Sequence, residues 1–280
     1  MMEPTPVALH DLTVVIPVRN AEAFLRACLD SVVASGPADI IVVDGKSTDA
    51  TLEIARRYPV RLLDDGGRGV AAARLMGAEA AITEWVALVD ADVLLPPGAL
   101  AGLLEEARRG GYTALQAGLE STSGPGYWGR ALVDHHRSGL SKHWFGLVAT
   151  VFRREVFLHH GLDATFSSGE DIEMRFRLER IGERIGVSNR TIVPHRFGDT
   201  FEFARGQFLA DGAGLARMAM KHGWRAAPLL ALPAAAAARG TVLSLARGRP
   251  QWIPYYVTFL ALNWFAMGRQ LLTRVVRRRQ

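Results

Sequence analysis

Two aspartates stand one residue apart in Asp90-Ala91-Asp92, directly after the apolar run Trp85–Val89. Carboxylates this close to each other and to a core repel one another and resist the loss of water, unless a cation or hydrogen bonds offset the cost. A divalent cation that also binds phosphate oxygens would offset it, because hard cations take carboxylate and phosphate oxygens together. The pair therefore predicts a metal site for a phosphate-bearing substrate. The alternative is a strand-end turn with two solvated aspartates.

The chain around this pair alternates between strand-like and helix-like segments. Nearly continuous apolar runs, as in strands covered on both faces, predict strands at 13–18, 40–44, 60–63 and 85–90. Apolar residues at helical spacing, with capping and breaking residues, predict helices at 21–33, from Ser47 or Thr48 to Tyr58, 70–82 and 99–109. Strands that alternate with helices imply βαβ units, so we predict an α/β fold with a mainly parallel sheet.

Polar residues follow each of these four strands at its carboxyl end, where ligands bind in parallel sheets. They are Arg19, Asn20, Asp44, Asp64, Asp65, Asp90 and Asp92. Neither G-x-G-x-x-G nor G-x-x-x-x-G-K-[ST] occurs beside them, which excludes a typical dinucleotide-binding crossover and a P-loop.

The pattern is less regular after residue 110. Strands are predicted at 113–119 and 147–152, and a helix at 171–181. The segment 121–146 between them is rich in Gly, Ser, His and Trp. We expect it to be a long loop of the kind that covers a binding site.

Composition narrows the class of protein. The 280 residues suffice for one large domain, or for a domain with an appendage, and the net charge of +5 suits anionic partners. The single cysteine, Cys28, lies on the apolar face of a predicted helix, so we expect core packing and no disulfide framework. The polar, proline-bearing N-terminus does not resemble a signal peptide.

The C-terminal part differs in composition from the rest of the chain. No Asp or Glu follows Asp211, whereas basic residues punctuate the apolar stretches 228–246 and 252–268. We therefore expect a catalytic domain over 1–223 and membrane-associated helices over 224–280. A spanning hairpin, helices lying on the surface and a soluble dimer interface are the three alternatives. Nucleic-acid binding is not expected, because the basic residues have apolar neighbours.

Five motifs in order make residues 11–215 similar to the inverting family 2 glycosyltransferases, which have the A-type glycosyltransferase fold. The motifs lie at 14–20, 42–51, 69–77, 90–92 and 169–171. The chain departs from the commonest family pattern at Gly45-Lys46, where Asp-Gly is usual. This departure leaves the nucleobase open.

The resemblance implies a role for particular residues around the donor. Asp92 would bind Mn²⁺ or Mg²⁺ together with Asp90, and His195 would be a further metal ligand or simply a strand-end histidine. The donor-binding residues would be Pro17, Arg19, Asn20, Asp44, Lys46, Arg74 and Asp90. For Asp44 the alternative is a turn aspartate, which we consider weaker since Ser47 and Thr48 would supply the helix cap.

The resemblance also implies roles on the acceptor side. Inverting transfer needs a base that takes the proton of the acceptor hydroxyl, and Asp171 is the first candidate, with Glu170 the second. A helix-capping role is the alternative for both. Trp144 and Phe145 would line the acceptor site, as would Trp128, His135 and His136, unless they form the core of the loop.

These expectations combine into a metal-dependent glycosyltransferase at the cytoplasmic face of the cell membrane. It would move a sugar from a nucleotide-sugar donor, with UDP-sugars favoured, to a hydroxyl or phosphate of a lipid-linked or glycan acceptor. Cell-envelope polysaccharide synthesis is the expected setting. The alternatives are a nucleotidyltransferase, which usually needs a glycine-rich basic loop that 17–22 lacks, and a catalytically silent binding scaffold.

Overall fold

The computed structural model describes residues 9–139, 145–166 and 168–277, with side chains through Thr273. The strands are β1 (Leu9–Val18), β2 (Pro37–Asp44), β3 (Arg61–Asp64), β4 (Trp85–Val89), β5 (Ala114–Ser123), β6 (Ala149–Arg153) and β7 (Ile185–Phe197). They form one sheet in the order β3-β2-β1-β4-β6-β5-β7.

The helices precede, connect and follow these strands. They are α1 (Glu22–Ala34), α2 (Thr51–Ala55), α3 (Val70–Ala80), α4 (Ala99–Gly110), α5 (Tyr127–Ser138), α6 (Arg154–His160), α7 (Glu170–Ile181), α8 (Phe201–His222), α9 (Leu232–Ala246) and α10 (Ile253–Arg277). Short 3-10 turns at Gly223–Arg225, Ala227–Ala231 and Pro250–Trp252 connect the last three helices.

The parallel part of the sheet contains the four predicted strands. β1 pairs in parallel with β2 on one side and with β4 on the other, and β3 pairs in parallel with β2. β6 runs antiparallel to both β4 and β5. The predicted α/β class and mainly parallel sheet are thus confirmed. The sheet order changes direction at β1, and ligands of open α/β sheets bind at such a point.

Both faces of the sheet are covered, which explains the nearly continuous apolar runs. On one face, Val14 and Ile16 of β1 pack with Leu25 and Leu29 of α1 and with Leu103 of α4. The opposite face buries Val15 of β1 with residues of α3, α6 and α7, among them Ala78, Phe157 and Met174. Period-2 alternation gives way to an apolar run when both faces of a strand are buried.

Two local predictions were wrong. The second helix begins at Thr51 with Ala50 at its N-cap, so neither Ser47 nor Thr48 caps it, and it ends at Ala55 rather than Tyr58. The segment 121–146 is not a continuous loop, because β5 extends to Ser123 and α5 follows. α5 forms because Ala131 and Leu132 find an apolar partner surface that is remote in sequence, which local composition does not reveal.

The described residues divide into two compact units. The first contains 9–120, 145–164 and 171–196, and the second contains 121–139, 165–166, 168–170 and 197–277. In the second unit Tyr255 and Tyr256 of α10 pack with Phe208 of α8 and Leu132 of α5. The expected boundary between 223 and 224 therefore falls inside the second unit, since α8 and α10 share a core.

One segment of the second unit passes the length and composition criteria for a membrane span, within the part of the chain that the structure describes. It is Ala227–Ala246, 20 residues with a mean hydropathy of 1.5 and 22% of the window buried. α10 is longer, and its apolar residues lie on both its exposed and its buried sides. Val257, Trp264, Phe265 and Leu272 are 53–67% exposed, whereas Tyr255 and Tyr256 are buried.

Candidate active site

Asp92 and His195 meet at the carboxyl end of β4. The last residues of β7 run antiparallel to the segment that follows β4, with a bridge between Val93 and His195. Leu94 N donates to Pro194 O at 3.0 Å, and Arg196 N donates to Asp92 O at 2.9 Å. These backbone bonds hold His195 Nε2 3.3 Å from Asp92 Oδ1.

One oxygen of the Asp92 carboxylate lacks a well-formed hydrogen bond in the described part of the chain. Its Oδ1 atom is buried and accepts no well-aligned hydrogen bond from any residue that the structure describes. Burial lowers the pKa of His195, but Asp92 and Asp90 outweigh burial, so the net pKa of His195 is raised. A buried carboxylate oxygen without a donor is costly unless a proton or a cation compensates it.

Asp90 is held by Arg74 of α3. Arg74 Nη2 lies 2.7 Å from Asp90 Oδ1, and the arginine side chain is only 5% exposed. Gly77, one turn further along α3, permits this approach, because a Cβ there would lie 2.2 Å from Val15 Cγ1 of β1. Burial raises the pKa of Asp90, and Arg74 opposes the rise without cancelling it.

Cys28 lies in the core next to Asp90. Its Sγ atom donates to Asp90 O at 3.6 Å, and the side chain is fully buried. Burial raises the pKa of the thiol to about 12, with Asp92 and Asp90 contributing in the same direction. The expected core-packing role of Cys28 agrees with these contacts.

These residues fit a divalent cation that shares its ligands with a substrate. Two neighbouring ligands on an octahedral ion with bonds of about 2.1 Å lie about 3 Å apart. The 3.3 Å between Asp92 Oδ1 and His195 Nε2 suits that geometry. Within the described ranges, however, no three Asp, Glu, His or Cys side chains converge on one point. Asp90 is engaged by Arg74, so a cation here would draw its remaining ligands from phosphate and water.

The loops after β1 and β2 are strained and tied to each other. Asn20 and Lys46 have positive φ angles of 51° and 65°, although neither is glycine. Asn20 N donates to Ser47 Oγ at 2.9 Å, and Thr48 N donates to Asn20 Oδ1 at 2.8 Å. Backbone strain of this kind concentrates at functional sites. Both loops lie at the edge of the sheet where Asp90 and Asp92 lie.

Asp44 organises the turn that contains Lys46. It is 4% exposed, and its Oδ2 atom accepts hydrogen bonds from Lys46 N and Ser47 N at 3.1 Å each. The turn role that we considered the weaker alternative for Asp44 is therefore present, since Ser47 does not cap α2. A donor contact by Asp44 stays a prediction.

The other predicted donor residues differ in their surroundings. Lys46 Nζ pairs with Asp64 Oδ2 at 2.7 Å across the ends of β2 and β3, with both side chains more than half exposed. Arg19 is exposed at the end of β1. Pro17 lies inside β1, opposite Val43 of β2. The sheet thus places Arg19, Asn20, Asp44, Lys46 and Asp90 at one edge.

Asp171 stands at the start of α7 against the segment that leads into β6. A Cβ on Gly146 would lie 2.9 Å from Asp171 Oδ2 and 3.2 Å from Gln116 Oε1. Gly146 N donates to Gln116 Oε1 at 2.7 Å, and two residues later Val148 O accepts from Asp90 N at 2.8 Å. Asp171 thus lies beside the segment whose Val148 accepts a backbone hydrogen bond from Asp90.

The other residues predicted to lie on the acceptor side differ in burial and in their neighbours. Glu170 is the first residue of α7 and is 6% exposed. Phe145 is 3% exposed and packs in the core with Leu147 and Met174, so the core alternative describes it. Trp144 lies outside the described residues. Trp128 packs beside Leu132 in the core of the second unit, and His135 and His136 contact aromatic rings in that unit.

Two residues of this region were missed from the sequence. Arg196 Nη2 donates to Phe24 O at 2.9 Å, and its guanidinium lies over the Phe24 ring, which fixes the end of β7 beside α1. Gln116 holds Gly146 from the middle of β5. The one feature of the sequence that could have identified Arg196 is its position next to His195. A polar residue inside an apolar strand was the signal for the second.

Comparison with known proteins agrees with this geometry. Residues 13–159 match the family model described as glycosyl transferase family 2. Succinoglycan biosynthesis protein ExoA of Rhizobium meliloti is 28% identical over 260 residues, which cover 83% of this chain and 78% of that protein. The uncharacterized glycosyltransferase YibD of Escherichia coli is 39% identical over 90 residues, which cover 30% of this chain and 26% of that protein.

Solved structures share the fold at low sequence identity. The mannosyltransferase PcManGT from Pyrobaculum calidifontis, in complex with GDP-Man and Mn²⁺, has a TM-score of 0.65 at 20% identity, over 96% of this chain and 89% of that one. Glucosyl-3-phosphoglycerate synthase from Mycobacterium tuberculosis, with Mn²⁺, UDP and phosphoglyceric acid, has a TM-score of 0.54 at 19% identity, over 76% and 78%. With its family model matched over more than half of its length, this chain belongs to glycosyl transferase family 2 and is a glycosyltransferase of the A-type fold.

Proposed function

We propose that this glycosyltransferase uses a nucleotide-sugar donor, a divalent cation and a lipid-linked or glycan acceptor, and that it inverts the anomeric centre. A UDP-sugar is the favoured donor. Cell-envelope polysaccharide synthesis at the cytoplasmic face of the membrane is the proposed setting. The relative that is named for succinoglycan biosynthesis supports the polysaccharide assignment.

The observation that carries the proposal is the buried Oδ1 atom of Asp92, which accepts no well-aligned hydrogen bond among the described residues and lies 3.3 Å from His195 Nε2. Together these two atoms offer one anionic and one neutral ligand and leave most coordination positions to a partner. A sugar nucleotide brings diphosphate oxygens, which are suitable further ligands. Neutral imidazole in the ligand set favours Mn²⁺ over Mg²⁺.

The chain's own residues divide the remaining tasks. When bound, the cation stabilises the charge that develops on the departing diphosphate. Arg74 pairs with Asp90, which opposes the effect of burial on that carboxylate and fixes its orientation. Lys46 pairs with Asp64, and its flexible, exposed ammonium lies at the same edge of the sheet as Asp90. Asp171 accepts the proton of the acceptor hydroxyl as that oxygen attacks the sugar.

Lys46 and the turn around it bear on which nucleobase the donor carries. The A-type fold accommodates more than one donor, since PcManGT was solved with GDP-Man and the mycobacterial synthase with UDP. Lys46 stands at the departure from the commonest family pattern, and its left-handed backbone is fixed by the carboxylate of Asp44. We therefore expect the base to be discriminated near Lys46 and Asp64.

Membrane association is proposed from exposed apolar surface in the second unit. Val257, Trp264, Phe265 and Leu272 recur at helical spacing along α10 and are each more than half exposed. On α9, Val242 and Leu245 are 64% and 57% exposed. These exposed apolar side chains lie in a part of the sequence that contains arginines and, after Asp211, no acidic residue. Such a surface fits an anionic bilayer.

The test is nucleotide release from UDP-, GDP-, ADP- and dTDP-sugars, with Mn²⁺ or with chelator, in the presence of a membrane extract. Release from one donor that stops with chelator is the expected result. Absence of release from every donor, in folded protein that still binds nucleotide, would contradict the proposal and favour a silent scaffold. Formation of a sugar nucleotide from a sugar phosphate would instead identify a nucleotidyltransferase.

A further inference from the structure

Two buried polar side chains on neighbouring strands of the first unit hold one glycine. Gln116 of β5 and Thr150 of β6 are each 1% exposed and lie opposite each other in the antiparallel register. Gly146 N donates to Gln116 Oε1 at 2.7 Å, and Thr150 Oγ1 donates to Gly146 O at 2.9 Å. Polar groups inside an apolar sheet are costly unless they are hydrogen-bonded. The two side chains therefore fix Gly146 through both its amide nitrogen and its carbonyl oxygen.

Residue 146 has to be glycine because of the space around it and not because of its backbone conformation. Its φ angle lies outside the left-handed region that favours glycine. A Cβ atom there would lie 2.9 Å from Asp171 Oδ2, which is closer than a Cβ atom normally approaches another side chain. The other carboxylate oxygen, Oδ1, accepts a hydrogen bond from Ile172 N at 2.7 Å. The Asp171 carboxylate thus lies between the first turn of α7 and the Cα atom of Gly146.

The segment that contains Gly146 is also attached to the end of β4. Val148, two residues after Gly146, accepts a backbone hydrogen bond from Asp90 N at 2.8 Å. The segment 146–148 therefore contacts Asp171 at its first residue and Asp90 at its last. A shift of Gly146 would change the separation between these two carboxylates, one on the predicted acceptor side and one on the donor side.

We propose that Gly146, Gln116 and Thr150 are positioning residues for sugar transfer. They determine where the Asp171 carboxylate meets the acceptor hydroxyl, and none of them takes the proton itself. The inference rests on the proposed function, since it requires Asp171 to be the base. Misplacing a reacting group by about 1 Å can lower a rate by about 10²-fold. A methyl group at residue 146 would displace the carboxylate by part of that distance, so we expect a loss of about tenfold or more.

The kinetic experiment compares Gly146→Ala in the wild-type protein and in Asp171→Asn, with transfer to acceptors in a membrane extract as the measurement. In the wild-type background kcat should fall about tenfold or more, while the KM for the donor changes by less than about twofold. Asparagine keeps the size of residue 171, so the close contact remains although the base is absent. In that background Gly146→Ala should lower kcat by less than about twofold. Equal losses in both backgrounds would give Gly146 a structural role only and overturn the proposal.

A second variant and a control keep this comparison decisive if the alanine variant fails to fold. Thr150→Val removes the bond to Gly146 O without adding atoms, and it should lower kcat by about three- to tenfold in the wild-type background and by less than about twofold in Asp171→Asn. Gly102→Ala is the control, because a Cβ on Gly102 of α4 would meet only Thr191 Oγ1, at an ordinary contact distance of 3.5 Å. It should leave kcat and the donor KM unchanged. Unchanged kcat in both Gly146→Ala and Thr150→Val would overturn the proposal.

Urea unfolding tests the contact between residues 146 and 171 without any transfer reaction. Gly146→Ala should lower the unfolding midpoint of the wild-type protein, and by at most about half as much in Asp171→Ala, which lacks the carboxylate. The remaining decrease comes from Gln116 Oε1, which would lie 3.2 Å from the new Cβ atom. Equal decreases in the two backgrounds would remove the contact on which the proposal depends.

Failure of the positioning role and failure of the proposed function give different results. Slow transfer by Asp171→Asn, together with equal losses from Gly146→Ala in both backgrounds, would reject the positioning role alone and leave Asp171 as the base. Undiminished transfer by Asp171→Asn would reject Asp171 as the base and the positioning role with it. Absence of transfer from every donor by the wild-type protein would reject the proposed function itself.

Discussion

The guanidinium of Arg74 lies 2.7 Å from the carboxylate of Asp90, across the gap between α3 and the end of β4. The arginine side chain is 5% exposed and the aspartate side chain 26% exposed, so neither charge is well solvated. The close packing of Gly77 on Val15 sets the position of the helix and with it the position of Arg74. A structural contact in the core thus fixes a charge at the carboxyl end of β4.

Replacing Arg74 with methionine should destabilise the fold by about 2–3 kcal/mol, somewhat below the range for a fully buried pair because Asp90 stays partly exposed. The variant leaves a carboxylate in a poorly solvated place. The double variant R74M/D90N should recover part of the loss, and urea unfolding measures both. R57M, which breaks the exposed Arg57–Glu53 pair, should change stability by less than about 0.5 kcal/mol. Equal effects at the two sites would argue against a buried pair.

Asp92→Asn should remove the difference in donor affinity between Mn²⁺ and chelator. Asparagine keeps the size of the side chain but loses the charge that the cation needs, while the backbone bond from Arg196 N to Asp92 O is unaffected. Calorimetric titration with UDP in each condition measures the difference. Asp39→Asn, near the opposite end of β2, is the matched control and should behave as wild type. Unchanged Mn²⁺-dependent affinity in Asp92→Asn would remove Asp92 from the metal site.

Asp171→Asn should lower the rate of sugar transfer by about 10²-fold or more, the usual contribution of a general base. Donor affinity should stay nearly the same, since Asp171 lies beside Gly146 and Gln116 rather than in the loops after β1 and β2. Transfer to acceptors in a membrane extract, followed together with the KM for the donor, separates the two effects. Glu170→Gln is the discriminating variant. A large loss there, with active Asp171→Asn, would move the base to Glu170.

Trp264→Ser with Phe265→Ser should weaken binding to anionic vesicles by about tenfold or more, because each large side chain contributes about 1.5–3 kcal/mol when fully buried. Substitution is preferable to deletion of 224–280, since deletion would also remove Tyr255 and Tyr256 from the core. Ile82→Ser is the control, because Ile82 is 91% exposed in the first unit. Vesicle co-sedimentation gives the measurement. Equal losses in the control, or none in the double variant, would contradict a membrane-facing α10.

His135 should make the fold less stable in mild acid. Burial, helped by Arg239, lowers the pKa of His135 to about 4 from its ordinary value of 6.5. Between these values the unfolded chain binds a proton that the folded chain does not, so stability falls as the pH falls. The loss runs from about pH 6.5 to about pH 4 and amounts to at most about 3 kcal/mol. His135→Gln should flatten this part of the curve of unfolding free energy against pH, and an unchanged slope would refute the assignment.

The parallel half of the sheet and the position of its polar residues could be predicted from the sequence. Segments such as 13–18 and 40–44 are apolar throughout because both of their faces are buried, and that pattern is local. Asn20, Asp44, Asp90 and Asp92 follow such segments directly, so chain order alone places them at one edge. Family membership followed from the same motifs and was confirmed by the family model.

Partners that are remote in sequence were decided by the tertiary structure alone. The family resemblance suggested that His195 lies near Asp92, from which it is separated by 103 residues. Chain order does not reveal the β7 bridge that holds the two together, or that Gly77 lets Arg74 reach Asp90. Composition made 121–146 resemble a loop, because the surface that stabilises α5 comes from α8 and α10. Local propensity depends on residues that are neighbours in the sequence, whereas burial and pairing depend on residues that the folded chain brings together. Burial and pairing therefore determine both the charges of the site and the length of the helices around it.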